Sequence, residues 1–167
     1  MSAAPKSEPA VFAWEPISNA LASGIEDLIV FNWEEVTQGL DYPPLDINWP
    51  EYLMLERMGR YRGVTARKAG KLIGYNGYDI IHPRRHKSTL WAFGDAMFID
   101  PLQRKGPLAS KFLAESHRLL REIGVKYVTK GDMAVENLAT AKPRASFGDL
   151  LVRAGYKPFD RTYTLKL

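Results

Sequence analysis

A strand-like run that stops at a proline, a short cationic loop and an apolar helical stripe follow one another between Thr89 and Ile123, and this βα unit limits the folds open to the chain. Residues 89–99 read as a strand that Asp100 and Pro101 close, and the loop after them carries Arg104 and Lys105. Leu108, Phe112, Leu119 and Ile123 then share one helical face, and Gly124 supplies the stop. Pro107 is tolerated in a first helical turn, where its missing N–H would have no intrahelical partner. Helix N-termini present unpaired N–H groups and partial positive charge, so a small-residue loop of this kind can hold a diphosphate by its backbone. Arg104, Lys105 and Lys111 add charge. Many strand-to-helix turns share this look and bind nothing, so the loop alone does not assign a ligand.

The remaining pattern surrounds that unit with a sheet. Residues 11–14 are a short apolar run; residues 18–38 have helical spacing, with Ser18 as N-cap and a break near Gly24. Pro43, Pro44 and Pro50 forbid its continuation, and residues 51–58 form a second short helix ended by Gly59. Residues 61–67 and 71–81 flank the hairpin signal at 68–70, and a basic loop, 82–88, leads into the strand at 89–99, giving an antiparallel meander. Residues 125–129 read as a short strand, 131–145 as polar and irregular, 147–154 as a helix stopped by Gly155, and 161–167 as a last strand. Helices interleaved with strands in this order predict a mixed α/β sheet in one layered domain, and 167 residues with 46% hydrophobic content supply its core.

Composition narrows the chemistry. With 23 basic against 19 acidic residues the chain is mildly basic, which suits an anionic small molecule as well as nucleic acid. The absence of cysteine excludes disulfides, cysteine nucleophiles and thiolate metal sites, and no His, Asp or Glu spacing suggests a metal site. No apolar run reaches the length of a membrane span and residues 1–10 read as a flexible polar tail, so the expected place is the cytosol.

Pro101, Arg104, Ala109 and the apolar helix from Lys111, Phe112 and Leu113 together resemble the signature of the GNAT acetyltransferases, a proline, an arginine and a spaced turn before a helix. Leu150-Leu151-Val152-Arg153-Ala154-Gly155-Tyr156 is similar to that family's terminal helix, which ends in Gly and an aromatic residue. The resemblance covers residues 61–167. Within the superfamily it looks most like bacteriophage-encoded members, through His82 and His86, Asp95, and Ser146 to Gly148. It implies a GNAT-like mixed, mostly antiparallel central sheet flanked by helices, α/β (α+β), in one domain at 11–167, with acetyl-CoA as cofactor. Two departures stand out. Lys105, Pro107 and Ala109 occupy positions where the family's turn has glycines, and Leu151 stands where a tyrosine often protonates the departing thiolate.

By that resemblance the strand backbone at Met97, Phe98 and Ile99 contacts the pantetheine arm and the oxyanion, while Arg104, Lys105, Gly106, Pro107, Leu108, Ala109 and Ser110 hold the diphosphate. Acyl transfer to an amine also needs a base, because a free lysine amine has a pKa near 10.4. Asp95 is the first candidate: on an uninterrupted strand it shares a face with Trp91, Phe93, Met97 and Ile99, and a bulge at Gly94 would change that face. His86 is the second, since imidazole titrates near neutrality, and Tyr163 could replace the missing acid. Each has a plain structural alternative, a loop contact for Asp95, a solvated hairpin for His86 and strand packing for Tyr163; His82 and His117 read as structural. Trp49, Tyr52 and Met54 fall in the helical region that borders the acceptor in similar proteins.

The function expected on these grounds is transfer of acetyl to an amine of a small molecule or protein. A catalytically inactive GNAT-fold interaction or virion-associated module that still binds CoA is the alternative, motivated by Pro107 and Leu151. Nucleic-acid binding through Arg84, Arg85, Lys87, Arg104 and Lys105 ranks last, because the net charge of +4 is modest, and no membrane partner is expected.

Overall fold

The computed structural model describes residues 8–38, 41–131 and 147–159. Its element order is β1 (Val11–Glu15), α1 (Ile17–Ala22), α2 (Ile25–Thr37), α3 (Trp49–Arg57), β2 (Tyr61–Lys68), β3 (Lys71–Ile81), β4 (Trp91–Ile99), α4 (Leu108–Glu122), β5 (Tyr127–Lys130) and α5 (Phe147–Arg153). The mixed α+β domain expected from the sequence is what forms, a five-stranded sheet in the order β1-β2-β3-β4-β5 flanked by helices. The first four strands pair antiparallel, and β5 joins β4 in parallel after the α4 crossover.

Local chemistry sets the boundaries. Gly24, at φ 81°, separates α1 from α2, and Pro16 rather than Ser18 caps α1. Asn48 caps α3 by accepting from the Glu51 N–H at 3.2 Å while its own amide donates to the Glu51 carboxylate, which ties the start of this helix down. Ala69 and Gly70 both have positive φ, 49° and 76°, so the β2–β3 hairpin turns with the mirror-image geometry that suits twisted strands. Tyr163 and the expected last strand at 161–167 lie outside the described residues, as do Ser146 and most of the irregular stretch before it.

The core lies between the sheet and α4. Val64, Tyr78, Ile80 and Ala92 from the strands meet Phe112, Leu119 and Leu120 from the helix, and Phe12 of β1 stacks on Phe112 with ring centres 5.2 Å apart. The opposite sheet face carries α2 and α3: Asn32 of α2 donates to the Tyr75 hydroxyl at 2.8 Å, and Tyr52 of α3 meets the Tyr61 ring edge-on at 4.9 Å. No helix among the described residues is long and apolar enough to cross a membrane.

Candidate functional site

Two irregularities in β4 shape the site. The first is a bulge. Tyr78 pairs with Gly94 but Asn76 pairs with Met97, so Asp95 and Ala96 together oppose Gly77 alone. The extra residue splits the face that an uninterrupted strand would have: Phe93 pairs with Asp79 on the α3 side, whereas Met97, opposite Asn76, lies on the α4 side. The common face of Asp95 with Met97 and Ile99 expected from alternation is therefore absent, while Asp95 keeps the α3-side face it was expected to share with Phe93.

The second irregularity is a fork. The β4–β5 ladder runs from Trp91↔Tyr127 to Gly94↔Lys130 and stops there. Residues 95–99 of β4 have no strand partner on that side among the described residues. Pairing alternates along an antiparallel ladder, so the N–H and C=O of Met97 and the N–H of Ile99 face this edge, whereas the backbone groups of Phe98 point to Tyr75 of β3 and the Ile99 carbonyl accepts from Arg104.

On the α3 side, Glu51, Tyr52, Leu55, Asp79 and Asp95 line a cleft of about 180 Å³. One oxygen of Asp95 accepts hydrogen bonds from Tyr52 Oη at 2.8 Å and Tyr61 Oη at 3.3 Å. Burial, reinforced by the Asp95 charge, pushes both phenols well above the ordinary tyrosine range, so they stay protonated and donate. Gly77 makes this possible: a Cβ there would stand 2.1 Å from the Tyr61 hydroxyl. Burial and then the neighbouring Asp95 charge raise the pKa of Asp79. Trp49 instead donates its ring N–H to Glu26 at 2.8 Å, and Met54 is exposed; of the three groove candidates only Tyr52 lines the cleft.

His86 is not brought to this cleft. It is exposed and stacks on Trp91 at 5.8 Å, at the start of β4, where Trp91 also stacks on Tyr127 at 4.7 Å.

On the other sheet face, α4 and α5 enclose a cleft of about 370 Å³ lined by Ser110, Ala114, His117, Arg121, Leu150, Arg153 and Ala154. At its head the loop after β4 is held open. Gly106 takes φ 61° with nothing within 4 Å of a Cβ built on it, and Lys111 makes the first N–H bond of α4, to Pro107 at 2.9 Å. The N–H groups of Gly106, Leu108, Ala109 and Ser110 consequently have no backbone acceptor among the described residues. Arg104 is tied into the scaffold: it makes two contacts of 2.6 Å with the Glu35 carboxylate, donates to the Ile99 carbonyl at 2.7 Å and covers the Phe98 ring. Lys105 is exposed, and its N–H closes a tight turn on the Gln103 carbonyl at 2.7 Å. In the wall of the cleft His117 Nε2 lies 2.7 Å from the Tyr156 hydroxyl, and burial, then Arg121 and Lys130, lower the pKa of His117 to about 4.

At the fork itself lies a group the motif reading passed over. The Lys130 side chain crosses β4 over Gly94 and donates to Asn76 Oδ1 at 2.7 Å, while the Asn76 amide donates to Tyr78 and Ser116 at 2.7 and 3.0 Å. Burial lowers its pKa to about 7 against the weaker opposing pull of Asp95.

No family model matches the chain, and no curated protein matches it. Solved structures do. A GNAT family acetyltransferase of Staphylococcus aureus superposes with a TM-score of 0.59 at 18% identity, covering 97% of this chain and 100% of that one. A predicted acetyltransferase with acetyl-CoA from Clostridium acetobutylicum gives 0.66 at 11% identity, covering 95% and 96%. An aminoglycoside acetyltransferase from an uncultured soil metagenomic sample, in complex with sisomicin, gives 0.64 at 13% identity, covering 94% and 97%.

This chain has the GNAT fold. Within that fold, the bulge at Asp95 faces the α3 cleft, while on the other sheet face His117, in the wall of the α4–α5 cleft, feels the charge of Lys130 at the fork.

Proposed function

We propose that this protein is an acetyl-CoA-dependent N-acetyltransferase whose acceptor is an amine that approaches as a cation. The carrying observation is that residues 95–99 of β4 have no strand partner on the β5 side among the described residues, an edge that leads from the open N-terminus of α4 to the carboxylate of Asp95.

The residues present fit acetyl-CoA. The N–H groups of Gly106, Leu108, Ala109 and Ser110, without a backbone acceptor among the described residues, suit a diphosphate at a helix N-terminus. Lys105 beside it supplies positive charge and Arg121 and Arg153 line the cleft farther along, with Arg104 as the strut that fixes the loop to β4 and α2. The edge offers the N–H and C=O of Met97 and the N–H of Ile99, which an amide-containing pantetheine arm would pair with, as a strand does, while Phe98 pairs inward with β3. Bound there, acetyl-CoA supplies an activated acyl group; the protein supplies orientation and proton handling.

Glu51, Asp79 and Asp95 give the acceptor cleft a negative field that favours a protonated amine at entry. Asp95 then takes the proton that would otherwise block the amine's lone pair, and the phenols of Tyr52 and Tyr61 hold the carboxylate in place. The aminoglycoside acetyltransferase of the same fold was solved with sisomicin, an amine-bearing ligand of the kind such a cleft admits.

Calorimetry with acetyl-CoA, followed by thiol release across a panel of polyamines, aminoglycosides, lysine peptides and neutral or anionic amines, tests this reading. Binding with turnover restricted to cationic amines is the expected result. Absence of heat and of any thermal shift at millimolar acetyl-CoA refutes it, and binding without acetylation of any amine returns the inactive-module reading.

A further inference from the structure

Lys130 is the last β5 residue paired with β4, and its amine does not leave the sheet for water. Nζ sits 4.4 Å above the Tyr78 ring centre and against the backbone of Gly94, where a Cβ would come within 2.7 Å of it. Asn76, fully buried, accepts its hydrogen bond and is itself fixed by Tyr78 and Ser116, so three side chains aim one amine. The charged and titratable groups around it are Asp95 on β4, His117 on α4 and the Tyr78 phenol on β3; no carboxylate forms an ion pair with it among the described residues.

The fold alone gives no reason for an amine here. A methionine would fill the same channel without the cost of removing a cation from water. Buried ionisable groups held by specific partners are candidates for chemistry, and this one stands where β4 and β5 part. The sequence also lacks the acid expected by resemblance, since Leu151 is apolar and buried.

We propose that Lys130 is the proton donor to the sulfur that departs from the acyl group, an assignment that rests on the acetyltransferase reading above. The acceptor nitrogen, its proton taken by Asp95, bonds to the acetyl carbon; as the C–S bond breaks, its electron pair remains on sulfur and a proton passes from Nζ to that atom. The neutral amine keeps its hydrogen bond to Asn76 Oδ1 and is recharged from water before the next turnover. A titration near neutrality lets the group give up a proton at physiological pH and regain it, which an ordinary lysine does poorly.

The test reads the lysine directly. In protein carrying isotope-labelled lysine, the Lys130 side-chain resonance, assigned by its loss in Lys130→Met, should titrate near neutral pH. CoA should shift it, whereas a CoA analogue bearing hydrogen in place of the thiol should bind and leave it unmoved. In turnover, Lys130→Met should lower kcat about 100-fold with KM for acetyl-CoA little changed. Lys130→Arg, which keeps the charge but holds its proton, should not restore it. Equal shifts from both ligands, full rescue by arginine, or transfer of the kcat loss to Tyr156→Phe each overturn the donor role. If the wild-type chain binds no CoA, the acetyltransferase reading and this one fall together; CoA binding and amine acetylation with a resonance indifferent to sulfur removes the donor role alone.

Discussion

The Lys130 side chain occupies the space that a Cβ on Gly94 would need, with Cγ and Nζ each 2.7 Å from that point. Gly94→Ala therefore pushes the amine off Asn76 without removing it, and overpacking of this kind costs about 1–3 kcal/mol. In the Lys130→Ala background the same substitution should be nearly neutral, because the obstructing atoms are gone. Chemical denaturation of the four proteins of this cycle measures the coupling; equal effects of Gly94→Ala in both backgrounds would show that the crossing is not the constraint.

Asp95 is held by two phenols on the sheet face opposite α4, so its proposed role as base can be tested apart from the proposed acetyl-CoA site. Asp95→Asn should reduce kcat for amine acetylation by about 100-fold or more while leaving the calorimetric affinity for acetyl-CoA within about twofold. Gly77→Ala should mimic part of this loss by displacing the Tyr61 hydroxyl, which a new Cβ would meet at 2.1 Å. An Asp95→Asn enzyme that turns over at the wild-type rate removes this carboxylate from the chemistry.

Much of the fold was legible because it rests on local rules. The proline-closed strand, the stripe of Leu108, Phe112 and Leu119, the turn at Ala69 and Gly70 and the stops at Gly59 and Gly124 all appear where periodicity and turn chemistry place them. Asp95 keeps the face of Phe93 that alternation gave it, but the loss of Met97 and Ile99 from that face was not legible beyond the hint of a bulge at Gly94, since the place of an extra residue in β4 is set by its pairing with β3. Arg104 shows the same limit: it stands where the family pattern has an arginine, yet its partner Glu35 comes from α2, far away in sequence. Lys130 carried no motif at all. Its only trace was indirect, in Gly77 and Gly94, strand-interior glycines that mark close approach of another group.

His117 should make the protein acid-sensitive in a defined window. Its folded pKa is lowered to about 4 from an ordinary 6.5, first by burial and then by Arg121 and Lys130, while the unfolded chain protonates near the ordinary value. Between these values the unfolded state binds more protons, so stability falls as pH drops through the window and levels off for this group below its lower end. The side chain is partly exposed, so screening reduces the effect to on the order of 1 kcal/mol. His117→Gln keeps an acceptor for the Tyr156 hydroxyl and cannot titrate. Thermal melts at about pH 7 and about pH 4.5 should show a smaller acid-induced loss in the variant, and identical losses would assign the sensitivity to other groups.

The start of α4 gives a prediction in which binding and stability move in opposite directions. Ser110 is exposed in the first turn, where its N–H has no backbone acceptor among the described residues, and it borders the α4–α5 cleft. Ser110→Glu places a negative charge at the positive end of the helix, which favours the folded state by roughly 0.3–1 kcal/mol. The same charge repels a diphosphate held by those N–H groups, so acetyl-CoA affinity should fall about tenfold or more, and the penalty should shrink as salt is raised. A raised melting temperature together with weakened, salt-sensitive binding is the expected pair of results, from thermal melts and calorimetry on one protein. Unchanged acetyl-CoA affinity in a Ser110→Glu protein of normal stability would move the diphosphate away from this helix end, and with it the role of the unpaired β4 edge that leads there.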